Sequence, residues 1–168
     1  MTRQVKPPVQ DILQILYQNG DLSSTNLKTL KAYIKRWSRS PLMALLETRI
    51  LAEETLANAL SRHLKLERIS SLADVIISEK ILQLVPFSFA RQRVCIPIAL
   101  DSSKTKVTIV TADPTDAVLL ENLGKNLKSS GGKTLTAKLA IGEYREVLLA
   151  IDQRYPLGLQ IQSSTWSV

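Results

Sequence analysis

The chain of 168 residues is 45% hydrophobic and 22% charged, with 5% aromatic residues, so it can bury an aliphatic core as one or two small domains. A single cysteine, Cys95, excludes an intramolecular disulfide, and a single histidine, His63, excludes any site that needs two. The 22 Lys and Arg residues outnumber the 15 Asp and Glu residues, and the net charge of +7 favours anionic partners. Basic residues are not interleaved with aromatic ones, so nucleic acid is not expected as a partner.

The sequence also predicts where the protein resides. The N-terminus lacks the apolar core of a signal peptide, and no apolar stretch reaches the ~18 residues of a membrane span. We therefore expect a cytoplasmic protein. Residues 1–9 and 157–168 show no helical or strand period, and we predict that they are flexible tails.

The first regular elements are helices. From Asp11 onward apolar residues recur at helical spacing, and Gly20 is expected to end this helix in the left-handed conformation. Ser23 and the polar residues after it predict the N-cap of a second helix, which runs to Trp37. The segment Ser38 to Pro41 then predicts a break.

The next segment repeats this arrangement. A short apolar helix ends near Arg49, and another helix begins at Ala52. An offset of 29 residues aligns Gly20 with Arg49. Residues 10–66 are therefore predicted to form a helical subdomain of two hairpins with a common design, because one hairpin alone cannot bury its apolar stripe.

The second half of the chain predicts strands as well as helices. Alternating apolar residues over 94–100 and 106–112 indicate a β-hairpin. A helix, a third alternating strand and a final helix over 143–155 complete the order strand, strand, helix, strand, helix. Residues 67–156 are thus predicted to form a small α/β sandwich with helices over one sheet face, and the chain as a whole is predicted to be α+β.

The helix after the hairpin carries a predicted structural cap. Asp113 is assigned as its N-cap, Pro114 as the first-turn residue whose missing N–H costs nothing, and Asp116 as a partner of the helix dipole. The two aspartates could be read as a metal or acid–base pair, but no third ligand lies nearby in sequence. We predict no catalytic residue, no cofactor and no metal site.

Three other features of the sequence have the composition of a site but favour a structural role. Residues 131–134 (Gly-Gly-Lys-Thr) resemble the end of a phosphate-binding loop, but a predicted helix precedes them and a strand follows, so they are predicted to form a turn. His63 is expected to be a packed or surface residue. Cys95 is expected to be a small apolar residue within a strand.

Three segments together resemble a known family. Residues 86–98 read as a proline, a short helix ending in Ala-Arg, and a strand with a central proline. The second strand runs into Ala-Asp-Pro-Thr-Asp at 112–116, and the last helix closes on Arg154 and Tyr155. In this order, over about residues 10–156, the segments resemble the N-terminal domain of type II secretion and type IV pilus assembly ATPases.

This resemblance implies a non-catalytic adaptor. In that family the region docks the ATPase on the cytoplasmic domain of an inner-membrane platform protein, and the motor domain that hydrolyses ATP follows it. The expected partner is thus a protein at the cytoplasmic face of the inner membrane or a secretion or pilus motor, and any membrane contact would be peripheral. The chain is expected to be either a free-standing relative or a fragment of a longer ATPase.

The resemblance also raises cyclic di-GMP binding as an alternative function. In some family members the helical repeats bind this nucleotide through spaced glycines and leucines. This sequence keeps Gly20, Leu27 and Leu22 at the matching positions, whereas Leu13 and Leu42 replace glycines and are expected to block the ligand. We therefore expect no binding of the family type.

The second helix carries the strongest candidate for a partner-binding surface. Its basic residues recur beside the apolar stripe, and Trp37 could act as an anchor for an acidic protein face or for membrane headgroups. The alternative is that Trp37 closes the hairpin core and the basic residues are merely solvated. The candidate residues are Lys28, Lys31, Lys35, Arg36, Trp37 and Arg39.

Overall fold

The computed structural model describes residues 11–162 and 166. The chain divides into two compact units, of which the first ends at Ile50 and the second begins at Leu51. The predicted tail at residues 1–9 lies outside the described residues. No helix in the described part of the chain is long and apolar enough to span a membrane.

The first unit consists, over its described residues, of three helices: α1 (Ile12–Gln18), α2 (Ser24–Trp37) and α3 (Pro41–Thr48). Each of them contacts the other two. Their apolar faces meet in a small core to which each helix contributes a fully buried leucine, namely Leu16, Leu30 and Leu45. The helices predicted for this part of the chain are present, but the first unit ends at Ile50, whereas the predicted helical subdomain extended to residue 66 and included α4 (Glu53–Leu64).

Local signals in the sequence explain where these helices begin and end. The Ser23 and Ser40 hydroxyls cap α2 and α3. Each hydroxyl accepts a hydrogen bond from the backbone amide three residues later in the chain, at 3.1 Å for Ser23 and 3.3 Å for Ser40. Gly20 follows α1 with a φ of +81°, as predicted for a left-handed C-terminal residue. Arg49, its counterpart in the repeat, takes the same left-handed region with a φ of +52°. The 29-residue repeat is therefore visible in the backbone.

The second unit contains the remaining elements, whose order confirms an α+β fold. Its strands are β1 (Glu67–Arg68), β2 (Cys95–Leu100), β3 (Lys106–Thr111) and β4 (Thr136–Ile141). Its helices are α4 (Glu53–Leu64), α5 (Glu79–Leu82), α6 (Phe87–Arg93), α7 (Ala117–Asn126), α8 (Tyr144–Arg154) and α9 (Leu157–Gln160).

The strands form a sheet in the order β1-β4-β3-β2. The predicted hairpin is present, with β2 antiparallel to β3. The chain then crosses over through α7, so that β4 lies parallel to β3. Pro97 is tolerated in the middle of β2 because β2 is an edge strand, and the register shifts between Pro97 and Ala99. Helix α8 packs against β2 and β3 and buries Val147 and Ile151.

The structure differs from the sequence-based expectations at two elements. Strand β1 is a fourth strand where three were predicted, and its Glu67 and Arg68 pair with the end of β4. The sequence does not indicate it, because two residues are too few to show an alternating pattern. Helix α9 occupies the start of the segment predicted as a tail, and its Leu159 is buried. The rest of that predicted tail is described only in part.

The predicted cap of α7 needs a correction. The helix begins at Ala117, and its N-cap is Asp116, whose carboxylate accepts the amides of Val118 and Leu119 at 2.9 and 3.2 Å. The assignment of Asp113 as the N-cap is therefore wrong. The local reason is that Asp113 accepts from the Thr115 amide and hydroxyl at 2.9 and 2.5 Å, which closes a turn around Pro114 before the helix starts.

Candidate functional site

The predicted basic surface lies on α2, where Ser23 fixes the start of the helix and Leu30 fixes its buried side. Lys28, Lys31 and Lys35 are all exposed and recur at helical spacing, so they share one face of α2. Over residues 11–162 none of the three lysines has an ion-pair partner. Their charge is therefore directed to solvent.

The end of α2 combines an aromatic and a cationic group. The Trp37 side chain is 53% exposed, so it does not close the core as the alternative interpretation proposed. The Arg36 guanidinium lies 5.1 Å from the Trp37 ring centroid, within the range of a cation–π contact. The Tyr33 ring lies 6.5 Å from the same ring at an interplanar angle of 49°. These contacts present the indole at the surface in a defined orientation.

Arg39 differs from the other candidate residues because it is already paired. Its Nε lies 3.1 Å from Oε2 of Glu47 on α3, and the Tyr33 hydroxyl donates to the same oxygen at 2.9 Å. This hydrogen bond from Tyr33 to Glu47 raises the pKa of the phenol. Arg39 therefore fixes the junction of α2 with α3, whereas the lysines remain available. The sequence analysis missed Tyr33 and Glu47, and only the four-residue spacing of Tyr33 and Trp37 hinted at the ring contact.

The residues matched to the cyclic di-GMP motif have different environments. Gly20 is exposed, and a Cβ at this position would meet no atom within 4 Å. Leu22 is 3% exposed and Leu27 is half-buried. Leu13 and Leu42, expected to block a ligand, are 2% and 7% exposed, so their side chains pack within the first unit and do not project from its surface.

The turn before α7 holds a cluster of charged side chains in the second unit. Nη1 of Arg93, near the end of α6, lies 3.3 Å from Oδ2 of Asp116, and Arg93 Nε is buried without a hydrogen-bond partner. Burial raises the pKa of Asp113, although the two hydrogen bonds from Thr115 oppose this, and the nearby negative charge of Asp116 adds to the increase. Because these carboxylates accept backbone amides and an arginine, the cluster acts as a structural junction between α6, β3 and α7.

The remaining candidates from the sequence are a metal site, Cys95 and the Gly-Gly-Lys-Thr segment. Among the described residues no group of three His, Cys, Asp or Glu side chains could hold a metal ion. Cys95 is fully buried, and burial raises the pKa of its thiol. Gly132 lies in a turn with a φ of +78°, after a helix and before a strand, as predicted for the Gly-Gly-Lys-Thr segment.

The Arg-Tyr pair at the end of α8 anchors two preceding segments. The Arg154 guanidinium donates to the carbonyls of Leu72, Ala73 and Val75 at 2.7–3.0 Å. The buried Tyr155 hydroxyl donates to the carbonyl of Val85 at 2.8 Å. The last helix is thus tied to the chain that precedes the β-hairpin, which gives this sequence motif a structural explanation.

These features define the class of the protein. A helical first unit is followed by an α+β unit in which a β-hairpin is extended by a parallel strand, and an Arg-Tyr pair anchors the last helix. This is the architecture of the N-terminal domains of secretion and pilus ATPases, so the resemblance found in the sequence is confirmed. The chain belongs to the MshEN domain family, whose model matches residues 64–161.

Solved structures share the fold over most of the chain. A structure of MshE with cdg superimposes with a TM-score of 0.68 at 21% identity, covering 87% of this chain and 99% of that one. The N-terminal domain of XpsE matches in two crystal forms, both at 18% identity and over 94% of the XpsE chain, with TM-scores of 0.68 and 0.57 and coverage of 87% and 86% of this chain. At these identities the similarity concerns the fold. No curated protein matches the chain.

Proposed function

We propose that the chain is a non-catalytic docking module of a type II secretion or type IV pilus-like system. It would bind a protein at the cytoplasmic face of the inner membrane through the exposed face of α2. The observation that carries this proposal is the row of lysines on one exposed face of α2, Lys28, Lys31 and Lys35, which have no ion-pair partner among the described residues. The half-exposed Trp37 lies at the end of the same helix. Membership of the MshEN domain family supports the kind of system in which the module works.

The chemistry of this face favours an acidic partner surface. Each exposed ion pair contributes about 0.2–1 kcal/mol, so three lysines together contribute roughly 1–2 kcal/mol, or about tenfold in affinity. Such contacts speed association and weaken with salt. Trp37 offers a separate apolar contact at the end of the same helix, since a half-exposed indole that is already oriented loses little side-chain entropy on binding.

A charge-matched capture experiment tests the proposal. The Lys28→Gln/Lys31→Gln/Lys35→Gln variant lowers the net charge from +7 to +4, and the control Lys106→Gln/Lys125→Gln/Lys133→Gln makes the same change on exposed lysines of the second unit. Both variants and the native chain are cross-linked to solubilised inner membranes, and the captured proteins are identified by mass spectrometry. We expect one membrane protein with an acidic cytoplasmic domain to be captured by the native chain and the control but not by the α2 variant.

Two outcomes would contradict the docking proposal. The first is equal capture by the α2 variant and the control, which would show that α2 does not form the contact. The second is flotation of the purified native chain with anionic vesicles, lost in the α2 variant and in Trp37→Ala. That result would assign the same face to lipid headgroups.

Cyclic di-GMP sensing is the second candidate function. It is favoured by the structure of MshE with cdg, the abbreviation of cyclic di-GMP, because the chain shares that fold. The burial of Leu13 and Leu42 also weakens the reason for expecting a blocked site. Against it, Gly20 is the one matching glycine that this sequence keeps, since Leu13 and Leu42 replace two others and Arg49 stands at the position that matches Gly20 in the second repeat.

Calorimetry distinguishes this candidate from the docking proposal. The native chain and Arg49→Gly are titrated with cyclic di-GMP. Micromolar binding by the native chain, strengthened in Arg49→Gly, would favour the sensor, because glycine lets the ligand approach the backbone closely. If neither protein releases heat above dilution, the nucleotide is excluded as a ligand of the isolated chain.

A further inference from the structure

An open groove runs across the second unit, well away in sequence from α2. Helix α5, the hairpin formed by β2 and β3, and the segment after α7 form its walls, and it encloses about 620 Å³. Its apolar lining comes from four aliphatic side chains, of which three are half-buried and the fourth is buried. These are Ile81, Leu84, Leu100 and Leu135. The groove therefore holds aliphatic surface that a partner could cover.

The rim of this groove is positively charged. Lys80, Lys104 and Lys128 are exposed, one from each wall, and no carboxylate is among the described residues that line the groove. Within the described ranges, 11–162 and 166, none of the three lysines is ion-paired. The Asp101 carboxylate, close in sequence to Lys104, is occupied by the amides of Thr105 and Lys106 at 2.8 and 2.9 Å.

Two of the rim lysines stand on hydrogen-bonded turns. The Lys104 amide donates to the Asp101 carbonyl at 2.9 Å, and the residue has a φ of +55° within this closed turn. Lys128 pairs with Thr134 as an isolated antiparallel bridge, and the Ser129 amide donates to the Lys133 carbonyl at 2.9 Å. The backbone beneath these two cations is therefore held in place by hydrogen bonds, which keeps both lysines on the rim of the groove.

We propose that the groove binds an acidic amphipathic segment of a partner protein. Aliphatic side chains on one face of the segment would lie against Leu84 and Leu100, and its carboxylates would reach the lysines on the rim. A nucleotide fits less well, because the described lining residues offer no aromatic ring for base stacking and no arginine for bidentate phosphate binding. This inference goes beyond the proposed function, because it concerns different residues in a different unit from the α2 surface.

A model peptide provides the probe. A fluorescein-labelled peptide of about five helical turns carries leucines at positions i, i+3, i+4 and i+7, with Glu and Ala elsewhere. Two controls are a peptide with Lys in place of each Glu and a scrambled peptide that lacks an apolar face. Anisotropy titrations with the full chain should show saturable binding of the acidic peptide, tighter than ~1 mM, and weaker binding of both controls.

Matched variants locate the binding site. Lys80→Gln/Lys104→Gln/Lys128→Gln is expected to weaken binding of the acidic peptide roughly tenfold, since three exposed ion pairs are lost. The α2 variant, Lys28→Gln/Lys31→Gln/Lys35→Gln, makes the same change of charge and should leave the affinity unchanged. Thermal melts confirm that both variants are folded. A benzophenone attached at Ser130→Cys should cross-link to the peptide, and the buried Cys95 will not react with the label.

Four outcomes would overturn the inference. They are binding weaker than ~1 mM, equal binding of the Lys peptide, equal weakening by the two triple variants, and flotation with phosphatidylglycerol vesicles that is lost in the groove variant. The last result would assign the groove to lipid. None of these outcomes bears on capture through α2, so the inference and the proposed function can fail independently.

Discussion

Gly142 offers a sharp test of how tightly β4 and α8 are packed in the second unit. It follows β4 and precedes α8, and it is buried. A Cβ at this position would lie 2.7 Å from Cγ2 of Val147 and 2.8 Å from Cγ1 of Val110. Carbon atoms pack favourably at about 3.5–4.0 Å, so both methyl groups would have to retreat by roughly 1 Å. Both valines are fully buried, and β-branched side chains have few alternative rotamers.

The expected cost of Gly142→Ala follows from these distances. Overpacking a filled core costs about 1–3 kcal/mol, and two simultaneous clashes place this site at the upper end. Alanine also lowers the chain entropy of the unfolded state, which offsets about 0.4–1 kcal/mol of this loss in the free energy of unfolding. We therefore expect a net loss of about 2 kcal/mol in the free energy of unfolding, or a fall in Tm of about 4–8 °C.

Urea and thermal denaturation followed by circular dichroism measure this effect. Gly124→Ala is the matched control, because a Cβ there meets no atom within 4 Å and the residue lies inside α7; it should stabilise by about 0.5–1 kcal/mol. Val147→Ala opens space for the new methyl group, so the double variant with Gly142→Ala should be less destabilised than the sum of the single variants. A Gly142→Ala protein as stable as the native chain, or strict additivity in the double variant, would refute the reasoning.

Four further predictions concern the caps and turns. Asp116→Ala should lose about 1–2 kcal/mol, because it removes the N-cap and the partner of an arginine, whereas Asp113→Asn keeps its acceptor oxygen and should match the native stability at pH 3, where Asp113 is protonated. The raised pKa of Asp113 means that folding favours its protonated form, so stability should fall as pH rises through that pKa, and the Asn variant should lose this dependence in denaturation curves at pH 3–7. Arg49→Gly should stabilise by about 0.5–1 kcal/mol in urea titrations, since a non-glycine residue at a φ of +52° is strained; an unchanged midpoint would contradict this. The pKa of Asp101 is lowered to about 2, chiefly by the hydrogen bond from Ser103, so carboxyl NMR titration should show a higher value in Ser103→Ala, and an unchanged value would exclude that cause.

The elements that sequence analysis predicted well are those with local signals. Ser23 and Gly20 bound the helices of the first unit as short-range capping rules require. The hairpin over 94–112 is recognisable because alternation and a polar turn lie within one short window. These features depend on neighbours in sequence, so no tertiary information was needed to find them.

The features that were missed depend on contacts between distant segments. The N-cap of α7 is the exception, because Asp113 and Asp116 both satisfy the composition of an N-cap and the difference is local: Asp113 closes a turn with Thr115, and Asp116 caps the helix. Glu67 and Arg68 count as a strand only because β4 lies beside them. The groove in the second unit has no sequence signature either, because its walls come from three separate stretches of the chain.

The place of β1 in the sheet has a consequence for how the second unit folds during synthesis. Strand β1 pairs with β4, and Glu67 lies opposite Ala140. The sheet can therefore be completed only after Ala140 has left the ribosome. Closing so long a loop is entropically costly and slow, and the β2–β3 hairpin and α7 can form first. A nascent chain that stalls before residue 136 would therefore expose the unpaired edge of β3 to chaperones and proteases, whereas the three-helix unit ahead of it could already be folded.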